Sequence, residues 1–425
     1  GQINASSAWD LKTGDSSVKI GIVDSGVDTA HPNLNCTAGY DFLDGDSNPN
    51  PDTAHDDHYG VPHGTSVAGI AAAKTNNSLG VAGVCQNCTV IPVRLIGGYI
   101  SSLDIKNALQ YAVDQGAWVV NNSWGPSNES CVTVSASSYQ ASAVEYGKVN
   151  GRGGKGTIMV WAAGNDSCDT YKDGDLRNND IVVVSAITSS GSFASYSNYG
   201  DEVDVSAGAA SYTTDIAGGY GYNYLAGTSD GDGLSNLDYT SVFSGTSAAA
   251  PVVAGAIALM LSANPDLTFS GAMNCLKSTA KKTAKTCSRG SWELQNDIYL
   301  ESGSKEHSPC FGFGVIDVNL MVIGAMNGTC GTCIKTADVD LCYGAGVGVD
   351  DDCYSGIDDN CVDGGNGKSG DFCTGDSFCA NTGNDFFCKN EWTDGYCSGN
   401  CTSNGDCFGT GISVCVDNEC RATCV

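Results

Sequence analysis

The sequence predicts an α/β fold built on a mainly parallel sheet, followed by a small disulfide-rich C-terminal domain. Three observations carry this reading. Five short runs rich in Val and Ile, at 18–24, 89–96, 117–123, 156–163 and 180–187, have the near-continuous apolar character of strands covered on both faces. Helical patterns lie between several of them, and strands alternating with helices place helices on both sides of a parallel sheet. The 22 cysteines are unevenly spread, with eight in residues 1–326 and fourteen between Cys330 and Cys424.

Taken in order, VKIGIVD (18–24) is the first strand and closes on an acid. HGTSVAGIAAAKT, opening at His63, is helical, and TVIPVRLI (89–96) returns to the sheet. The helical SLDIKNALQYAVDQG leads into the strand AWVVNNS (117–123), and SSYQASAVEYGKVNG leads into GTIMVWAA (156–163). DIVVVSAI (180–187) is the fifth strand, and a long apolar helix follows Ser247. Composition changes near Asn327–Gly328: the last 99 residues hold 16 acids, 4 bases and few aliphatic runs. Such a segment cannot bury enough apolar surface and needs staples, which fourteen cysteines supply. The expected domains are therefore 1–326 and 327–425, within the two to four units that roughly 100–200 residues per domain allows.

Composition excludes several function classes. Lys and Arg number 20 against 48 acids, a net charge of −28, which repels phosphate backbones and anionic lipid. Nucleic acid and membrane are thus not expected partners. Ala248–Ala263 falls short of the ~18 residues a span requires and carries a proline. Gly1 is preceded by no Met, basic region or apolar core, so the chain reads as a processed, mature form. An even, large cysteine count points to an oxidising compartment and a secreted protein.

Three residues at element ends can make a nucleophile. Asp24 closes the first strand in VDSGVD, His63 opens a helix in HGTSVAG, and Ser247 precedes one in FSGTSAAAPVVAG. In parallel sheets, ligands meet the carboxyl ends of strands. A serine hydroxyl needs a base to take its proton, and an imidazole base needs a carboxylate to fix its tautomer and stabilise its cation. Free N–H groups at the start of the Ser247 helix favour developing negative charge.

Asp-Ser-Gly, His-Gly-Thr and Ser-Gly-Thr-Ser-Ala-x-x-Pro, in that order, resemble the subtilisin-like serine proteases over residues 3–325. The order Asp, His, Ser is itself a known feature of subtilisin. The resemblance implies a three-layer sandwich with a seven-stranded parallel sheet and hydrolysis of peptide bonds through an acyl-enzyme. It implies that Asn165, in WAAGN, is the oxyanion donor. Segments 122–126, 151–165, 259–269 and 312–322 are most similar to the kexin-like, or proprotein-convertase, branch. That branch implies pocket walls from Ser123, Trp124 and Gly125 and from Ala162, Ala163 and Gly164, running antiparallel to a bound peptide. Most acids it uses to read paired basic residues are replaced here, by Ser25, Gly60 and Asn128, although Glu129 is adjacent to the last. Asp173 is left to select one basic residue. The branch's β-rich second domain leaves no trace, so convertase-like biological roles are not inherited. A cleaved pro-segment, protein or peptide substrates and a monomeric state complete the implied picture.

Calcium is the expected cofactor. Asp41, Asp44, Asp46, Asn48 and Asn50 set oxygen side chains at short intervals in a Gly- and Pro-bearing loop, as hard Ca²⁺ requires. The loop resembles the second calcium site of thermitase-like subtilases; the competing reading is an Asx-rich turn. TNNSLGV (75–81) resembles the family's strong calcium loop, implying ligands from Asn77, the carbonyls of Thr75, Leu79 and Val81, and Gln2, with Asn33 in place of an aspartate. Asp166 is implied beside a further ion beneath the pocket. Asp230 and Asp232, and acids in the tail, are calcium-like by composition only.

The same residues admit other readings. His55-Asp-Asp-His58 with His63 suggests zinc, but the spacing is not that of a helical HExxH and no Glu is placed as base. A cysteine nucleophile is disfavoured because all cysteines can pair, and His31 and His307 are read as surface residues. Sequons at Asn4, Asn76, Asn121 and Asn165 are read as chance, since a glycan on Asn165 would block the oxyanion donor. From a different class, a binding protein could use the tail to attach to cell wall, glycan or protein on a retired scaffold. The intact constellation favours the enzyme.

Overall fold

Alternation along each strand sorts its side chains onto two faces, and both faces are buried. The computed structural model describes residues 2–330, apart from 54–61, 127–129 and 225–231, together with six short strands within 331–425. A short helix, α1 (Ala5–Trp9), precedes β1 (Lys19–Asp24). There follow β2 (Tyr40–Asp41), α2 (His63–Ala72), β3 (Thr89–Arg94), α3 (Ser102–Asp114), β4 (Ala117–Asn122), α4 (Ser138–Gly154), β5 (Ile158–Ala162), β6 (Ile181–Ile187) and β7 (Val205–Gly208). These seven strands form one sheet in the order β2-β3-β1-β4-β5-β6-β7, and every neighbouring pair is parallel.

The first core lies on one face. Ile20 and Ile22 of β1, Ile158, Val160 and Ala162 of β5, and Val182, Val184 and Ala186 of β6 pack with α2 and α5 (Thr246–Ala263). The opposite parity, with Val23, Met159, Trp161, Ile181 and Val183, packs beneath α3 and α4. The result is the three-layer, subtilisin-like α/β sandwich that the resemblance implies. The five apolar runs became β1, β3, β4, β5 and β6. Strands β2 and β7 lie at the edges and are too short to be read as runs. Inside α4, Gly151, Arg152 and Gly153 leave helical geometry, so the helix is interrupted near its C-terminal end.

Helix α5 has 18 residues and is apolar enough to cross a membrane by length and composition, longer than the sequence run suggests. Its residues are instead almost entirely buried in the first core, where it packs against α2 and the sheet. An apolar helix that is hydrophobic all round is what a domain centre requires.

Strands β8 (Ala210–Thr214) and β9 (Tyr239–Ser244) form an antiparallel pair outside the main sheet. After α6 (Phe269–Thr279) come the paired β10 (Glu293–Asn296) and β11 (Ser304–His307), then α7 (Val318–Asn327). A disulfide from Cys275 in α6 to Cys330 ties down the segment after α7. The first compact unit runs from Gly1 to Cys330 and the second from Gly331 to Val425. In the second, β12 (Cys333–Lys335) pairs with β13 (Asp340–Cys342). A four-stranded sheet there joins β14 (Phe387–Lys389), β15 (Tyr396–Asn400), β17 (Glu419–Arg421) and β16 (Val414–Val416). Further disulfides close Cys85–Cys88, Cys131–Cys168 and Cys287–Cys310. Among the described residues Cys36 is free, so the expectation that every cysteine pairs does not hold for it.

Beneath β6 and β7 a buried cation is held by two acids. Lys277 of α6 is 2% exposed, with Nζ 2.9 Å from Asp204 Oδ1 and 2.6 Å from Asp297 Oδ2. Asp204 Oδ2 also accepts the Val183 N–H at 2.7 Å, so the cluster joins α6 to the sheet. Removing one partner of such a group strands the others without compensation. Lys277→Ala is expected to lower stability by about 3–5 kcal/mol in urea unfolding; an unchanged midpoint would show that the cluster carries no net charge coupling.

Candidate active site

The carboxyl end of β1 and the amino end of α2 meet because neither carries bulk at the junction. A Cβ on Gly64 would lie 2.2 Å from the Gly26 carbonyl oxygen and 3.0 Å from the Asp24 Cβ, so only glycine permits the approach. The Gly64 N–H donates to Ser25 Oγ at 3.0 Å and pins the helix start to the strand end. His63, one residue earlier, then places Nδ1 2.7 Å from Asp24 Oδ1. That oxygen also accepts the Ser25 N–H at 2.7 Å. From the other side β8 locks α2: Thr213 Oγ1 donates to Ser66 O at 2.6 Å and Thr214 Oγ1 to Thr65 O at 2.7 Å.

Asp24 is 1% exposed. Burial pulls the His63 pKa down, but the Asp24 charge and hydrogen bond outweigh it and leave the imidazole above its ordinary value. The ring packs edge-on against Phe243 of β9, with centroids 5.2 Å apart. Four residues later Ser247 stands in the first turn of α5, beyond Gly245 at φ +93°. Its hydroxyl donates to Ser123 O at 3.1 Å, and Ser123 Oγ donates back to Ser247 O at 3.0 Å. The structure thus joins Asp24 to His63 directly, while the Ser247 hydroxyl is turned to the β4 end. Catalytic hydrogen bonds commonly align only once substrate is bound.

Asn165 follows β5. Its Oδ1 accepts both the N–H and the Oγ1–H of Thr246 at 2.9 Å, which leaves Nδ2 as the end free for a ligand. A preorganised amide donor beside a serine at a helix start is suited to a developing oxyanion. Thr246, fully buried, is a residue that sequence reading passed over; its adjacency to Ser247 was the available signal.

A cleft of about 610 Å³ opens beside these groups. Ser123, Trp124, Gly125, Ala162, Ala163, Gly164, Asn165, Asp173 and Ser247 all line it, so the expected walls, pocket acid and nucleophile come together. Burial raises the Asp173 pKa; its Oδ1 accepts the Asp175 N–H at 3.0 Å, and its Oδ2 faces Gly125 across the cleft. Asp175 also lines the cleft, likewise raised by burial and bonded to the Ser137 N–H at 2.6 Å. It was missed in the sequence although it lies two residues from Asp173. Asp166 and Asp169 add further acids, and no lysine or arginine is among the lining residues. The acid-bearing wall is cross-braced: Cys131 is bonded to Cys168, Val134 N–H donates to Lys172 O at 2.7 Å, and Gly174 N–H to Val134 O at 2.9 Å.

Two histidines expected at the surface are core residues. His31 is 2% exposed, with Nε2 2.9 Å from Asp238 O and Nδ1 accepting the Asn33 N–H. His307 is 4% exposed and sits 2.7 Å from Val203 O. Burial lowers both pKa values, so each serves as a neutral hydrogen-bonding core group. The His55–His58 pair, Gly60, Asn128, Glu129, Asp230 and the side chains of the tail lie outside the described residues.

The calcium loops differ in fit. Asp41 and Asp44 both bind the Arg94 guanidinium, the latter at 2.8 Å, so a side-chain cation already stands between them and they do not fit a metal. Asp46 and Asn48 accept backbone N–H groups two residues on, and Asn50 Oδ1 accepts from Thr29, the Asx-turn alternative. At 75–81, Gln2 donates instead to Thr188 O and Ser189 O, and Asn33 Nδ2 donates to Lys74 O and Val81 O. Asn77 is half-buried, with Oδ1 accepting the Leu79 N–H at 3.1 Å and Nδ2 without a partner, between the left-handed Asn76 and Ser78; it faces no cation of the chain, and its oxygen and the loop carbonyls are the donors available there. Among the described residues, no group of three or more His, Cys, Asp or Glu side chains converges.

Comparison with known proteins points the same way. The Subtilase family profile matches residues 15–314. An extracellular protease of Xanthomonas campestris pv. campestris is 33% identical over 362 residues, 77% of this chain and 54% of its own. Neuroendocrine convertase 2 of Mus musculus is 32% identical over 329 residues, 75% of this chain and 48% of its own. The chain therefore spans about half the length of the curated relatives it matches. The crystal structure of the Aeromonas sobria serine protease in complex with a chaperone (ORF2) covers 74% of this chain and 61% of its own, at TM-score 0.63 and 26% identity.

A base that must be neutral works only above its pKa. Turnover is expected to rise with pH through a midpoint above 6.5, because Asp24 holds His63 above that value. Asp24→Asn should lower kcat by about 10⁴-fold through loss of the tautomer and the cation's partner. A flat pH–rate profile from pH 5 to 9 would contradict the assignment.

Proposed function

The chain belongs to the subtilase family, and from that premise we propose that it is a secreted serine endopeptidase cutting peptide bonds in proteins. The observation that carries the proposal is the 2.7 Å contact between Asp24 and His63, at the sheet end that Ser247 and Asn165 also occupy. Asp24 holds the Nδ1 proton, so Nε2 is the basic end. The Ser247 hydroxyl turns from Ser123 O to this nitrogen, gives up its proton and attacks the peptide carbonyl carbon. The carbonyl oxygen takes the negative charge and is received by Asn165 Nδ2 and the N–H of Ser247. The imidazolium then protonates the leaving amine, and an ester remains on Ser247. Water, deprotonated by the same imidazole, adds to the ester carbonyl; its collapse releases the acid and returns the proton to the serine oxygen.

Substrate backbone would add as a strand between Ser123–Gly125 and Ala162–Gly164, which leaves side-chain choice to the cleft. We infer a preference for one basic residue before the cut. Its support is the run of acids on the cleft wall, Asp173 and Asp175 foremost, with no lysine or arginine among the lining residues. Secretion is supported by the disulfides and by likeness to a protein named extracellular protease. The chaperone bound to the Aeromonas sobria protease supports a folding partner here, which we assign to a cleaved N-terminal pro-segment acting on a monomer.

Calcium we place at 75–81 alone, held by the Thr75, Leu79 and Val81 carbonyls and the Asn77 side chain. When bound it would supply positive charge to a loop of oxygens and take no part in the chemistry.

Two measurements test this reading. Peptide substrates differing only in Arg, Phe or Leu before the cut should be cleaved fastest after Arg, and Asp173→Asn should reduce that advantage by about 10- to 100-fold in kcat/KM. Equal or better cleavage after Phe removes the basic preference. Calcium at a hundredfold excess over its dissociation constant should stabilise the folded chain by about 2–3 kcal/mol, and Asn77→Ala should abolish the gain; equal melting in calcium and chelator contradicts the site.

A further inference from the structure

Asn165 is exposed and sits in a loop, so the direction of its amide depends on whatever holds residues 163–168. Thr246 fixes the side-chain oxygen, and its Oγ1 also accepts the Gly164 N–H at 3.2 Å, but it makes no bond to the backbone beyond Asn165. The loop backbone is unusual: Gly164 has φ +102° and Ser167, a non-glycine, has φ +56°. A backbone bent in this way persists only when its surroundings over-determine it.

One side chain supplies most of that constraint. Asn198 is 8% exposed and uses both ends of its amide on the loop. Its Nδ2 donates to Ala163 O at 2.9 Å, and its Oδ1 accepts the N–H groups of Asp166 at 3.0 Å and Cys168 at 2.9 Å. Its own N–H donates to Gly164 O at 2.9 Å. Residues on both sides of Asn165 are thus tied to a single amide, as if to a strand that is not there. The fit is close: a Cβ on Gly164 would lie 2.4 Å from Asn198 Nδ2. Flanking contacts extend the template, with Ser167 N–H donating to Tyr196 O at 2.8 Å and Ser167 Oγ to Ser195 O at 2.7 Å.

We propose that Asn198 is a positioning residue that aims the Asn165 amide at the oxyanion by moulding the loop between Ala163 and Cys168. The proposal rests on the reading of Asn165 as the oxyanion donor. Asn198 acts at one remove from substrate, through the backbone on either side of Asn165. It also sets Ala163 and Gly164, which form one wall for the peptide, so the same amide couples donor and wall.

A double-mutant cycle on the full chain tests this. Asn165→Ala alone should lower kcat by about 100- to 1,000-fold. Asn198→Ala alone should lower kcat by on the order of 10- to 100-fold, because a displacement near 1 Å is enough to do so, with a smaller change in KM. In the Asn165→Ala background, Asn198→Ala should cost less than about 3-fold, since the group it aims is gone. Equal losses in both backgrounds, or a lower melting temperature with unchanged kcat in the folded variant, would overturn the proposal. Asn165→Ala without effect on kcat would overturn the donor assignment beneath it. Should Asn198→Ala fail to fold, Asn198→Asp, which keeps an oxygen for the Asp166 and Cys168 N–H groups, goes through the same cycle and must show the same non-additivity.

Discussion

The hydrogen bond between His63 Nδ1 and Asp24 Oδ1 is the constraint on which the rest of the site depends. It joins the end of a central strand to the start of a helix on one face of the sheet. Its 2.7 Å length is possible only because Gly64 lets α2 touch the Gly26 backbone. The buried carboxylate selects the tautomer and stabilises the cation that catalysis would produce. Everything else at this end of the molecule can be read as fixing what surrounds that pair. β8 holds the helix, Phe243 supports the ring, and α5 brings Ser247 in its first turn.

Two further devices complete the site, and both depend on small polar contacts in a buried setting. The loop carrying Asn165 is held between Thr246, which orients its amide, and Asn198, which bonds the backbone on either side. The acid-bearing wall of the cleft is held by one disulfide and a backbone bridge to 131–137. Aspartates raised by burial are poised to gain from a basic side chain, whose charge would offset the cost of their desolvation. Positioning and electrostatics thus come from separate segments, which lets the cleft vary without disturbing the proton-transfer pair.

Much of this was legible in the sequence, and the limits have physical causes. The central strands were readable because both faces are buried, which writes uninterrupted Val and Ile runs. β2 and β7 were not, since two- to four-residue edge strands leave too short a pattern. Asp24, His63, Ser247 and Asn165 were marked by motif spelling. Asp175, Thr246 and Asn198 were not, because their roles arise from hydrogen bonds across tens of residues. His31 and His307 were misjudged as exposed: a polar neighbourhood in sequence says nothing of a backbone carbonyl waiting in the core. The 41–50 acids looked like a cation site and are one in a sense, but the cation is Arg94, supplied from β3.

The central claim is that His63, held by Asp24, activates Ser247, and the rate of single-site phosphonylation tests it most directly. The folded chain is treated with a fluorophosphonate and the modified peptide is identified by mass spectrometry. The account predicts one phosphonyl group per chain, on Ser247, forming at a rate that collapses in His63→Ala although the serine remains. Modification elsewhere, or an equal rate at Ser247 without the imidazole, would contradict it.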